Sequence, residues 1–177
     1  MPTSINGWPV LKPGSDQLVT KKIPGVNRSL TLERVCAPLL LAVAHDWDAW
    51  IRLIDEGPVD EGGYCYRYSR TGNGWSNHSS GTAVDINWTQ EGAQRPPNRE
   101  FWETPHMVHT MDVMRTIYGP VCDFGVDWHG TNWDPMHVEI KPRITAPMVR
   151  AHIKKLGITP AGVRTRNAQG EKIEPRD

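Results

Sequence analysis

Apolar positions along the chain follow two periods. Between Thr31 and Ile54, Val35, Leu39, Val43, Trp47, Ile51 and Ile54 recur at three- and four-residue spacing, which predicts a helix. Pro38 imposes a kink or a late start on it, and Gly57-Pro58 ends it. Tyr64, Tyr66 and Tyr68 then alternate with Cys65, Arg67 and Ser69, the period of a strand over 63–69. Residues 70–77, with Gly72-Asn73-Gly74, read as a loop. Val84 and Ile86 alternate with Ala83, Asp85 and Asn87, a second, half-buried strand that turns Asp85 away from its apolar face.

Residues 88–103 are polar and include Arg95-Pro96-Pro97-Asn98, a long loop of the kind that often serves as a lid. Thr104-Pro105 supplies an N-cap and a first-turn proline for the next helix. Met107, Met111, Met114 and Ile117 form its core stripe, and Gly119-Pro120 closes it. Strands are predicted from Val121 to Trp128 and from Met136 to Ile140, with a turn at Gly130-Thr131-Asn132. His137 and Glu139 share a face of the later strand. A last helix starts at Thr145-Ala146-Pro147, turns Met148, Val149, Ile153 and Leu156 inward, and stops at Gly157. The expected organisation is an extended lead-in over 1–28, a folded domain over 29–157 and a polar tail over 158–177. The elements read as an α+β fold, with helices on one face of a small, mainly antiparallel sheet.

Composition narrows the function classes. The 20 Lys and Arg balance the 20 Asp and Glu, so no broad basic field addresses nucleic acid or an anionic membrane. No apolar run approaches the length of a membrane span. The N-terminus lacks the basic and apolar regions of a secretory signal peptide. The three cysteines, Cys36, Cys65 and Cys122, are an odd number without a CxxC pair and read as buried thiols of a reducing compartment. Of the eight tryptophans, Trp47 and Trp50 fall on a helical face, while Trp75, Trp88, Trp128 and Trp133 flank the polar motifs as candidate groove walls.

Those motifs carry the chemistry. In Ser76-Asn77-His78-Ser79-Ser80-Gly81-Thr82-Ala83-Val84-Asp85, His78 and Asp85 are metal-ligand types joined by a turn at Gly81. A carboxylate beside Ala and Val is costly to bury unless paired or metal-bound. In Asp134-Pro135-Met136-His137-Val138-Glu139, His137 is a third donor. Asp134 can lean over the same site without binding it. Either stretch alone is better read as ordinary loop or core histidines. Together, two His, one Asp and a spare carboxylate match three ligands, an open position and a general base. Glu139 can support a ligand imidazole from behind. His45, His106 and His109 lack companions at ligand spacing, and His129 is a spare beside the second motif.

Ser76-x-His78-x-x-Gly81-x-Ala83-x-Asp85 followed by Asp134-x-x-His137 resembles the zinc D-Ala-D-Ala carboxypeptidase / L-Ala-D-Glu endopeptidase family, over about Val35 to Lys141. The resemblance implies a Hedgehog/DD-peptidase-like fold with one Zn2+ on the open face of the sheet, held by His78, Asp85 and His137. It implies Asp134 as catalytic base and an arginine before the first motif, for which Arg67 is the candidate and Arg70 the rival. Ser76 is a candidate for a substrate or loop hydrogen bond. The implied substrate is bacterial peptidoglycan, cut as by a phage endolysin with L-Ala-D-Glu specificity. Such a monomer would wait in the host cytoplasm until it reaches the wall. A D-Ala-D-Ala carboxypeptidase is the alternative, and a non-catalytic zinc-stabilised wall-binding module the alternative of another class.

Overall fold

The computed structural model describes residues 1–54, 57–70, 72–91 and 99–173. Its elements are β1 (Leu18–Lys22), β2 (Ser29–Glu33), α1 (Ala37–Trp50), β3 (Ala83–Asp85), α2 (Trp88–Glu91), α3 (Arg99–Trp102), α4 (Pro105–Tyr118), β4 (Cys122–Phe124), β5 (His137–Ile140) and α5 (Ala146–Leu156). This is the α+β class that the apolar pattern predicts.

Among the described residues two antiparallel sheets form. β1 and β2 make a hairpin, and the other three strands order as β3-β5-β4. The second sheet positions the polar motifs. Its register sets Val84 opposite Val138 and Val138 opposite Phe124. Paired residues share a face and neighbours alternate. One face therefore carries Val84, Ile86, Val138, Ile140, Cys122 and Phe124, all in the hydrophobic core. The opposite face carries Asp85 paired with His137, and Ala83 and Asp123 paired with Glu139.

Several expected boundaries shift for local reasons. The helix expected from Thr31 begins at Ala37, because Thr31–Glu33 pair with β1 and Pro38 fits only the first turn. Glu33 accepts from the backbone N–H groups of Val35 and Cys36, serving the helix start. β1 lies within the stretch expected as a lead-in, where Trp8, Val10 and Leu11 are also buried. β1 is mostly polar and lacks the alternation that marks a half-buried strand, whereas in β2 the buried Leu30 and Leu32 alternate with Ser29, Thr31 and Glu33. Residues 63–69 are not a regular strand. Only isolated bridges form, at Gly62–Asp85 and Tyr68–Trp75. The backbone there is spent elsewhere: Cys65 N–H donates to His78, and the Ser79 hydroxyl lies against the Cys65 and Arg67 carbonyls. Cys65 is exposed, unlike the buried thiols Cys36 and Cys122.

α4 starts as the sequence predicts, with Thr104 Oγ1 accepting from Met107 N–H and the methionine stripe buried. The strand expected over Val121 to Trp128 stops at Phe124, and Gly125–Asp127 turns as a 3-10 helix. In α5, Met148 is exposed rather than inward; Val149, His152 and Leu156 form the buried stripe. Arg95-Pro96-Pro97-Asn98, the centre of the expected lid, lies outside the described residues.

The segment after Gly157 packs back on α1. Arg164 reaches the Asp46 carboxylate at 3.1 Å, and Tyr118 donates to the same oxygen at 2.7 Å. Burial alone would raise the Asp46 carboxyl; His45, Arg164 and Tyr118 outweigh it and hold it below the ordinary range. A carboxylate depressed on folding stabilises above its unfolded pKa, ~4, and loses that contribution as pH falls. Removing one partner of a buried pair costs about 3–5 kcal/mol. Arg164→Ala is expected to lower the free energy of unfolding at pH 7 by about that amount, measured by urea titration. Its deficit against wild type should narrow below pH ~4. A loss under about 0.5 kcal/mol, the level of an ordinary surface change, would show that the clasp is not structural.

Candidate metal centre

The first motif closes into a 3-10 turn, Asn77–Ser80, before β3. Ser76 caps it, its hydroxyl accepting from His78 N–H at 3.3 Å. Gly81 ends it at φ 68°, and an added Cβ would sit 2.5 Å from the Glu33 nitrogen. Only glycine meets both demands. The turn delivers His78 beside the polar face of β3 and β5, where Asp85 and His137 already stand opposite each other.

His78 Nε2 lies 3.2 Å from Asp85 Oδ2, and His137 Nδ1 lies 2.7 Å from Asp85 Oδ1. One donor atom from each of the three residues falls within 4.8 Å of the others. The far side of each ring is held. His78 Nδ1 is 2.5 Å from the Gly63 carbonyl, and His137 Nε2 is 2.9 Å from Glu139 Oε2. These acceptors favour protons on the outer nitrogens and turn His78 Nε2 and His137 Nδ1 inward as donors to an ion.

The residues fit a divalent metal. His78 Nε2 is buried and, despite the nearby carboxylate, has no hydrogen-bond partner. Unsatisfied buried nitrogens are rare, and an ion is one explanation. Two imidazoles and a carboxylate are a zinc donor set that leaves a coordination position open. The electrostatics show how tightly the charges are gathered. Burial would raise the Asp85 carboxyl, but His78 and His137 hold it far below the carboxylate range. Burial would lower the His137 imidazole, but Asp85 and Glu139 raise it to about 10.

A cleft of about 710 Å³ opens over this group. Asp134, Arg67, Arg70 and Ser76 all line it, as do Trp128, Trp133 and His129. Within this cleft Asp134 Oδ1, like His78 Nε2, is a buried atom without a hydrogen-bond partner. Burial raises its carboxyl; His137 pulls it down, Asp85 pushes it up, and His78 and Arg70 pull it down again. Gly125 makes room for the Asp134 backbone, because a Cβ there would lie 2.0 Å from the Asp134 carbonyl oxygen. Arg67 is fixed through its backbone by Ser79. The Trp128 ring stands 5.2 Å from that of His137, and Trp133 donates to the Val126 carbonyl. Of the other candidate walls, Trp75 stacks with Tyr68, and Trp88 is exposed. His106 and His109 lie exposed on α4. The Gly63 carbonyl and Asn77, which donates to Glu139 at 2.6 Å, were not singled out from sequence. Asn77 sits next to His78 in the motif, whereas no side-chain signal marks Gly63.

One divalent ion per chain is expected on elemental analysis of purified protein, and none in a His78→Ala, His137→Ala double variant. Full occupancy in that variant would move the site elsewhere. Comparison with known proteins bears on the same residues. A family model described as D-alanyl-D-alanine carboxypeptidase matches residues 69–140, which hold both motifs and Arg70 but not Arg67. No curated protein and no solved structure matches.

Proposed function

We propose that the chain is a zinc-dependent peptidase that cuts the peptide stems of bacterial peptidoglycan. The observation that carries this reading is the convergence of His78, Asp85 and His137 beside the unpartnered carboxylate of Asp134 in one cleft. The family match to D-alanyl-D-alanine carboxypeptidase supports it.

In this proposal His78, Asp85 and His137 hold the ion, which supplies Lewis-acid chemistry to polarise the scissile carbonyl and activate water. Asp134 is the general base. Its oxygen faces the cleft with no competing donor, and burial shifts its carboxyl upward, toward the range in which a carboxylate both takes and returns a proton. Asp134 would receive the proton from the attacking water and pass it to the leaving amine. Arg67, with Arg70 beside the cleft, would place positive charge where the carbonyl oxygen becomes negative. Ser76 makes the loop hydrogen bond, holding the turn that bears His78, and lines the cleft. Trp128 and Trp133 form apolar walls that limit competing water.

The finer reading is an endolysin-type endopeptidase acting on the L-Ala-D-Glu bond. The description of the matching family favours a second, D-Ala-D-Ala carboxypeptidase activity. Mass spectrometry of digested peptidoglycan separates them: the first frees stems at their L-Ala end, the second releases single D-Ala. Wall binding with no fragment released would leave only a binding module.

Asp134→Asn keeps the shape and loses the base. The variant is expected to fold and retain its zinc, yet hydrolyse ~10²–10⁴-fold more slowly. Loss of metal would make Asp134 a ligand. Turnover near wild type would transfer the role to Glu139 or His129.

A further inference from the structure

We propose that Asn77 and Asn6 are positioning residues of the metal centre. A buried chain of hydrogen bonds runs from the N-terminal segment through Asn77 and Glu139 and fixes which nitrogen of His137 faces Asp85. The inference rests on the metal-site reading above and deepens it.

The direction of each bond follows from what each group can do. The Asn6 backbone N–H lies 2.9 Å from Asn77 Oδ1. A backbone N–H only donates, so the oxygen of the Asn77 amide must face it. The Asn77 nitrogen therefore faces Glu139 and donates to Oε2 at 2.6 Å. The same Oε2 lies 2.9 Å from His137 Nε2. Held by Asn77, that oxygen accepts the Nε2 proton and leaves Nδ1 pointing at Asp85.

Asn6 anchors the chain at its far end. Its amide nitrogen donates to Thr82 Oγ1 at 2.8 Å and to the Ile140 carbonyl at 2.9 Å. Its amide oxygen lies 2.7 Å from the Ser4 hydroxyl. Asn6 thus ties the turn that carries His78 to the end of the strand that carries His137. Asn6 and Asn77 are 2% and 5% exposed, so water does not substitute for these partners. Apolar side chains of the same shape could fill such a space at similar stability. What two buried amides add is direction, and here the direction ends on a ring nitrogen.

The test measures zinc affinity by competition with a chromogenic chelator, at fixed pH, alongside circular dichroism and urea unfolding. Asn77→Ala removes the donor. Asn77→Asp keeps the acceptor for Asn6 but sets a carboxylate oxygen against Glu139. Each is expected to bind zinc ~10–100-fold more weakly than wild type, the usual cost of losing a partner behind a ligand. Asn87→Ala is the control for a purely structural loss. Asn87 is a fully buried amide bonded to Trp47 and Leu53, outside the chain. It should lower stability and leave zinc affinity unchanged. Wild-type affinity in folded Asn77→Ala and Asn77→Asp, or an equal loss in Asn87→Ala, overturns the proposal. Imidazole nitrogen NMR of the zinc-loaded wild type gives an answer without any variant. His137 should carry its proton on Nε2 and the metal on Nδ1, and the reverse assignment overturns the proposal. A wild type that binds no zinc refutes the metal-site reading itself.

Discussion

Asp85 stands directly opposite His137 in the β3–β5 ladder, and the organisation of the site depends on that pairing. A strand pair brings opposite side chains to within about 5 Å without loop closure at the site. It also fixes their sidedness. The register that buries Val84 against Val138 puts Asp85, His137 and Glu139 on the other face. A slip of one residue would exchange the two sets. The core thus enforces the grouping of these polar side chains: Val84 and Val138 are both fully buried, and moving either would expose apolar surface and bury charge.

Around that pair, three less regular pieces complete the geometry. The 3-10 turn with its left-handed Gly81 brings in His78. The Gly62–Gly63 segment supplies the carbonyl behind His78. The Gly125–Asp127 turn gives Asp134 its place above the cleft. The His78 and His137 rings are held from behind by the Gly63 carbonyl and by Glu139, whereas His78 Nε2 and Asp134 Oδ1 have no hydrogen-bond partner. Buried polar atoms are usually satisfied, and these two exceptions line one cleft.

The legible parts of the sequence were those governed by local spacing. The strand around Val84, the capped start at Thr104-Pro105 and the methionine stripe of α4 follow from periodicity and cap chemistry, and the structure has them. The grouping of His78, Asp85 and His137 followed from residue types in two separate motifs. Features that depend on distant partners were hidden. Asp46 and Arg164 meet across 118 positions, so the polar segment after Gly157 gave no sign that it packs. The alternation of Tyr64, Tyr66 and Tyr68 imitates a strand, but the backbone beside them is claimed by the turn at His78 and by Ser79. Asn6 reads as a lead-in residue because nothing nearby shows that its amide reaches Thr82 and Ile140.

The central claim is that His78, Asp85 and His137 form the inner shell of a zinc site. X-ray absorption at the zinc edge of the purified, zinc-loaded protein tests it most directly. The account predicts only nitrogen and oxygen neighbours at ~2.0–2.2 Å, with the multiple scattering of two imidazoles. A sulfur neighbour at ~2.3 Å, which would bring in a cysteine such as the exposed Cys65, or a shell without imidazole, would contradict it.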